Sequence, residues 1–206
     1  MKTKLFIFLL FLANTIFAQQ ITEYKNLYTD NTSFDFPPAN PKYYKDINHY
    51  FDSFVGTWKY TNGNKTFIVT LWKEAMSEFK DYEDLNVNYY ADNIYGHYKM
   101  VQDYGTSNQS IIYTSEINMG VSSTQWPTVV FADAVEPNKL AGHLYDIKTE
   151  PANSEFFPLR GFISLTINSG SNPVTAHWKV TDSEERLSSG KNYSFVIPTD
   201  ITLTKE

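Results

Sequence analysis

Phe54-Val55-Gly56-Thr57-Trp58-Lys59 opens a strand, and the chain turns back at Asn62-Gly63-Asn64 into a second one. An Asn-Gly turn between two alternating runs is the strongest short-range signal for an antiparallel hairpin. Turn residues then divide the rest of the chain into further strand-like runs. After Gly56–Thr61 and Thr66–Lys73 come Tyr89–Asp103, Ser110–Ile117, Thr128–Ala134, Leu140–Ile147, Gly161–Asn168, Val174–Thr181 and Tyr193–Lys205. Strand follows strand with no βαβ alternation, so the sheets should be antiparallel and an all-β fold is predicted. Glu74–Asn88 is charged and reads as a loop or one helical turn. Apolar residues at 43, 44, 47, 50, 51 and 54 predict a short helical turn leading into the first strand.

Side-chain parity assigns an inside and an outside. Gly56, Trp58 and Tyr60 share one face, and Phe67, Val69 and Leu71 share another. Ile163, Leu165 and Ile167 point inward, as do Ala176, Trp178 and Val180. Ile201, Leu203 and Lys205 do the same, which places Lys205 at one end of the inner face. Pro198 cannot donate to a ladder and must sit at an edge, a bulge or a break. His97 and His177 share parity with lysines two residues on, which predicts exposed sheet positions.

Met1–Ala18 has a basic start at Lys2 and Lys4, an apolar stretch over Leu5–Leu12 and a small residue at Ala18, the pattern of a secretory signal peptide. The apolar stretch is too short to span a bilayer, which takes ~20 residues. Losing the leader's two lysines takes the formal net charge from −6 to −8, which disfavours nucleic acid and anionic membranes. Residues 19–42 are polar and broken by Pro37, Pro38 and Pro41, and read as an extended arm outside the sheet. Residues 43–206 form the domain. The chain has no cysteine, so neither disulfides, thiol catalysis nor a lipid-anchored Cys is available, and the fold must rest on its core.

The Gly-x-Trp opening of Phe54–Lys59 resembles the first strand of the calycins, the group that holds lipocalins and intracellular fatty-acid-binding proteins. That resemblance implies an antiparallel up-and-down lipocalin-like barrel of about 8–10 strands, closed by pairing of the first and last strands. It implies that Gly56 lets the strand bend, that Trp58 plugs the closed end, and that Lys205 covers Trp58. The chain is also similar to a family of exported bacterial proteins described only as a domain of unknown function. The residues that carry this likeness are Tyr44-Lys45-Asp46 with Asn48, Asp52 with Phe54–Lys59, Gly96-x-Tyr98, Ile197-Pro198-Thr199-Asp200 and Leu203-Thr204-Lys205.

No pattern of catalytic residues stands out. The four histidines form no closely spaced ligand pair, so no metal and no cofactor is expected. Asp81–Asp84 and Asp182–Glu185 read as solvated loops, not as a held carboxylate pair. Gly-x-Ser-x-Gly is absent, and Ser188-Ser189-Gly190-Lys191 reads as a hairpin turn rather than a phosphate loop. Aromatic residues carry the one binding signal: Tyr89, Tyr90, Tyr95 and Tyr98 with Trp72, Trp126 and Trp178. Such rings suit sugars or amphipathic ligands, and they equally suit cross-strand packing. The sequence therefore predicts a monomeric, exported, non-enzymatic barrel. Its expected partner is a small apolar or amphipathic ligand held by Tyr60, Tyr98 and Trp178. The alternative is an interaction or envelope-associated module whose barrel is filled with side chains, and a hydrolase with an unrecognised site is the third reading.

Overall fold

The computed structural model describes residues 23–28, 42–80, 88–116, 127–147, 159–182 and 194–206. Met1–Ala18, Asp81–Asp84, Trp126 and Ser188–Lys191 lie outside these residues. The strands are β1 (Glu23–Asn26), β2 (Lys42–Lys45), β3 (Gly56–Asn62), β4 (Lys65–Lys80), β5 (Asn88–Gln102) and β6 (Ser110–Thr114), then β7 (Val129–Glu136), β8 (Lys139–Asp146), β9 (Leu159–Asn168), β10 (Thr175–Asp182) and β11 (Asp200–Lys205). A 3₁₀ turn at Tyr50–Ser53 leads into β3.

Eight of these strands close on themselves. The order β5-β4-β3-β11-β10-β9-β8-β7 returns to β5, so the sheet is a closed antiparallel barrel. Two seams complete it. The last strand pairs with the first through Thr204↔Lys59 and Lys205↔Trp58. At the second seam, Ile94, Tyr95 and Gly96 of β5 pair with Phe131, Val130 and Val129 of β7. Closure removes the unpaired edges that an open sheet would present. Gly96 lies at this seam, and a Cβ there would be 2.5 Å from Leu71 Cδ2 and 2.8 Å from Thr70 O of the neighbouring β4.

The strand β5 has three partners along one side: β2 near its start, β7 in its middle and β6 at its end. Its first residues and the last residues of β4 project beyond the barrel. There β2 joins β5 in parallel, and β1 joins β2 in parallel. Two sequence expectations fail in this region. Part of the N-terminal arm, Glu23–Asn26, is a strand of the sheet, and Leu27 is buried in the core. Glu74–Lys80 continues β4 and is not a loop. A bulge between Glu74 and Ser77, with Met76 at φ 57°, sets Ala75 and Met76 against Asp92 alone and flips the parity that makes a strand legible. The last strand is shorter than expected, because residues 194–199 are irregular around Pro198.

Alternation places one continuous apolar core inside the barrel. Trp58, Phe67, Val69, Leu71, Ile94, Tyr98, Phe131, Leu140, Leu144, Leu165, Trp178 and Leu203 belong to it. An eight-stranded barrel has an interior just wide enough for side chains to fill.

Candidate functional site

The three residues expected to hold a ligand gather around Phe67. Tyr60 lies opposite Phe67 across the β3–β4 ladder and is half-buried against the core. The rings of Tyr98 and Trp178 sit 5.8 and 5.7 Å from the Phe67 ring, so the three form one aromatic column. Tyr98 is 1% exposed and Trp178 0%. A cavity holding even a water molecule would leave accessible surface on its lining, and these two residues have essentially none. Their polar atoms are engaged as well. Tyr98 Oη donates to Tyr145 O at 2.8 Å and accepts from Ile147 N at 3.0 Å, while Trp178 Nε1 donates to Pro198 O at 3.0 Å. Burial and the nearby Asp146 raise the Tyr98 pKa, so the phenol stays neutral and fills space.

Gly56, Trp58 and Lys205 meet at one end of the barrel. Gly56 has φ 127°, a conformation open to glycine, and a Cβ there would lie 3.3 Å from Lys205 Cε. Trp58 is fully buried, and its Nε1 donates to Phe54 O at 2.8 Å. Lys205 Nζ donates to Ser53 O at 2.7 Å and stands 5.4 Å from the centre of the Trp58 ring.

Two polar clusters go beyond the sequence expectations. The first lies where β2 and the 3₁₀ turn meet the projecting end of the β4–β5 hairpin. Asp46 and Asp92 are each 1% exposed. Lys73 Nζ lies 2.9 Å from Asp46 Oδ2 and 3.6 Å from Asp92 Oδ2. Asp46 also accepts from Tyr50 N at 2.9 Å and Phe51 N at 3.1 Å. Asp92 accepts from Asp46 N at 2.9 Å, from Met76 N at 3.3 Å and from the Tyr43 hydroxyl. Burial works to lower the Lys73 pKa. The hydrogen bond to Asp46 and the charges of Asp46, Asp92 and Asp52 outweigh it, so the net shift is upward. The place a metal ion would take between the carboxylates is filled by the ammonium. The parity of the strands carried a signal for this cluster. Lys73 continues the inward series Phe67, Val69, Leu71, and Asp92 precedes the inward series Ile94, Gly96, Tyr98. Charges on an inward face have to find each other.

The second cluster lies where β5 changes partner from β7 to β6. Ser115 is fully buried, and its Oγ accepts from Tyr98 N at 2.8 Å and from Thr128 Oγ1 at 2.6 Å. It stands 3.4 Å from His97 Nδ1. A serine beside a histidine has the composition of a nucleophile and its base. Here both lone pairs of the hydroxyl accept hydrogen bonds and no surface reaches solvent, so the group is a staple across the seam. His97 is buried, not exposed as its parity suggested. Burial lowers its pKa, with Glu116 and the Ser115 backbone opposing the shift. His177 is half-exposed and pairs with Asp200 at 2.8 Å.

Among the described residues no three His, Cys, Asp or Glu side chains are placed to share a metal ion, and no helix is long and apolar enough to cross a membrane. The structural class is therefore a closed antiparallel eight-stranded β-barrel with a packed interior and a short N-terminal sheet extension. Within that class the chain belongs to the family of unknown function DUF6705, whose model matches residues 1–206. No curated protein and no solved structure matches it.

Proposed function

We propose that this protein is an exported lipocalin-like barrel that acts without catalysis, as an interaction module working through its outer surface. Export follows from the leader pattern of Met1–Ala18. The observation that carries the reading is the aromatic column of Tyr98, Phe67 and Trp178, which fills the volume that an internal ligand would need. A small amphipathic ligand inside the barrel would have to displace rings whose polar atoms are already satisfied. The engaged lone pairs of Ser115 argue in the same direction against hydrolysis.

Native mass spectrometry of protein purified from its own host tests this, together with titration by a fluorescent fatty acid. The expected outcome is a bare mass and no saturable signal. A co-purifying apolar molecule at one per chain, released on denaturation, would show that the interior is a container after all.

A further inference from the structure

The outer face of the β4–β5 hairpin carries an aromatic and polar group that is only partly covered. Trp72 pairs with Tyr95 across the ladder and Glu74 with Asn93. Antiparallel partners point the same way, so these four side chains share one face, with His97 next along β5. The Trp72 ring lies 6.4 Å from the Tyr95 ring and 5.2 Å from the His97 ring, tilted at 58° and 39°, which makes a shallow cradle and not a flat plate. Trp72 and Tyr95 are half-buried and Glu74 is exposed.

Asn93 supplies an independent sign. It is fully buried, and its Nδ2 donates to Tyr95 Oη at 3.4 Å. Its Oδ1 has no hydrogen-bond partner, and neither does Ser77 Oγ further along the hairpin. Buried polar atoms are nearly always paired, by protein, water or ligand. With Asn93 donating to the Tyr95 oxygen, the Tyr95 proton is free to be given outward. The face thus offers an aromatic ring, a hydroxyl donor and a carboxylate within a few residues, with the Asn93 amide buried beneath them.

We propose that the Trp72–Tyr95 face binds a neutral, hydroxyl-rich saccharide. An aromatic ring takes the apolar face of a sugar ring, and Glu74 and Tyr95 take its hydroxyls, while Asn93 beneath them holds the Tyr95 hydroxyl in its donating orientation. Charge selects against acidic sugars, because Glu74 lies in the cradle and the chain as a whole is acidic, at −6. This proposal rests on the reading that the protein works through its surface, and it names the ligand class.

The test is affinity electrophoresis of the full chain in gels containing a soluble neutral polymer: laminarin, hydroxyethyl cellulose, xylan or dextran in separate gels. The expected result is retardation by at least one polymer, and a loss of roughly tenfold in affinity for Trp72→Ala, the scale of one aromatic contact. Phe162→Ala, which removes an aromatic side chain 48% exposed on β9, should bind like the parent. Competition by the matching free oligosaccharide separates recognition of chain ends from recognition of the polymer. Circular dichroism confirms that the Trp72 variant folds, and Tyr95→Phe gives a second variant that keeps the ring and loses the donor. No retardation by any of the four polymers overturns the proposal, and so does equal loss in the Phe162 variant. Such a failure leaves the surface reading standing, whereas a ligand found inside the barrel overturns that reading whatever the gels show.

Discussion

Tyr98 and Asp92 lie on the same strand, face the same way and are equally buried, at 1% exposure each. Around Tyr98 the neighbours are rings and aliphatic chains, and its hydroxyl is satisfied by two backbone groups. Around Asp92 nearly every neighbour is a polar partner: Lys73, Tyr43 and the amides of Asp46 and Met76. The first environment is held by the area withdrawn from water, which depends on shape and volume. The second is held by mutual neutralisation, and it fails when one member is removed, because a buried charge is left without a partner. The barrel therefore owes its stability to packing. The attachment of β1, β2 and the 3₁₀ turn depends on an ionic knot with two carboxylates and one ammonium.

The largest effect is expected in the interior. Trp178→Ala removes a fully buried indole from the aromatic column and should destabilise the whole barrel by ~3–5 kcal/mol. Chemical denaturation followed by circular dichroism should show one transition, moved to lower denaturant. A variant with near-parental stability would mean that the column is loosely packed and that the interior can make room for a ligand.

Lys73→Ala should come next, at roughly 3 kcal/mol, the low end for a broken buried pair, since the Lys73 side chain keeps 23% exposure. The more telling readout is locality. Hydrogen exchange should rise first at Leu27, Tyr50 and Phe51, whose amides are held by this junction, while Tyr98 and Trp178 stay protected. Uniform loss of protection would show that the junction and the barrel unfold as one unit. Alkali probes the same knot in the parent. Lys73 has a folded pKa above 10.5, so its contribution is complete below that value and is lost as pH rises through the folded pKa. Burial and Asp92 raise the Tyr43 pKa as well, and ionisation of that phenol opposes folding in the same range. The junction should loosen above pH 10.5, and the buried Tyr98 phenol loads the core in the same range, so Lys73→Met should remove only the junction's share of the alkaline loss.

Acid probes the barrel side through His143 of β8. Burial, with Arg160 nearby, lowers its folded pKa to about 4 from an ordinary 6.5. The unfolded chain then binds the proton more tightly, so stability falls as pH drops from 6.5 towards 4, by at most about 1.4 kcal/mol for each pH step of one. His143→Gln should flatten that part of the melting-temperature profile. An unchanged profile would assign the acid loss to other groups.

The sequence made the barrel legible where each strand keeps one period. β3, β9 and β10 alternate cleanly, and their inward residues Trp58, Ile163, Leu165, Ala176 and Trp178 are all buried. The alternation of Ile201, Leu203 and Lys205 gave the last strand its inward face, whereas closure was only implied by the calycin resemblance, because pairing of the first and last strands is a long-range contact that no local period encodes. Legibility ended where the period breaks. Beyond the Glu74/Ser77 bulge the pattern changes phase, so a continuing strand reads as a charged loop. Glu23–Asn26 is too short and polar to signal a strand, because its place is fixed by parallel pairing to Lys42–Lys45, far away in sequence. His97 illustrates a different limit. Parity put it on the outer face correctly, but parity cannot say that Trp72 and Ser115 cover that face. The ionic knot left its trace in Lys73 and Asp92 at inward positions, and only the three-dimensional junction with Asp46 shows that they are partners.

The smallest effect is expected at Lys205, and it bears on what closes the barrel. Burial lowers the Lys205 pKa, so the ammonium loses hydration that one hydrogen bond to Ser53 O and the face of Trp58 only partly replace. What remains favourable is the aliphatic stem, packed beside Gly56. Lys205→Met keeps the stem and sheds the charge, and should leave the unfolding free energy within about 0.5 kcal/mol of the parent. Lys205→Ala loses the stem and should cost about 1 kcal/mol. Gly56→Ala should cost more than either, since φ 127° strains any residue with a Cβ. If Lys205→Met proves as damaging as Trp178→Ala, the charge itself fastens the seam, and the contrast between a packed barrel and an ionic junction breaks down at this end of the molecule.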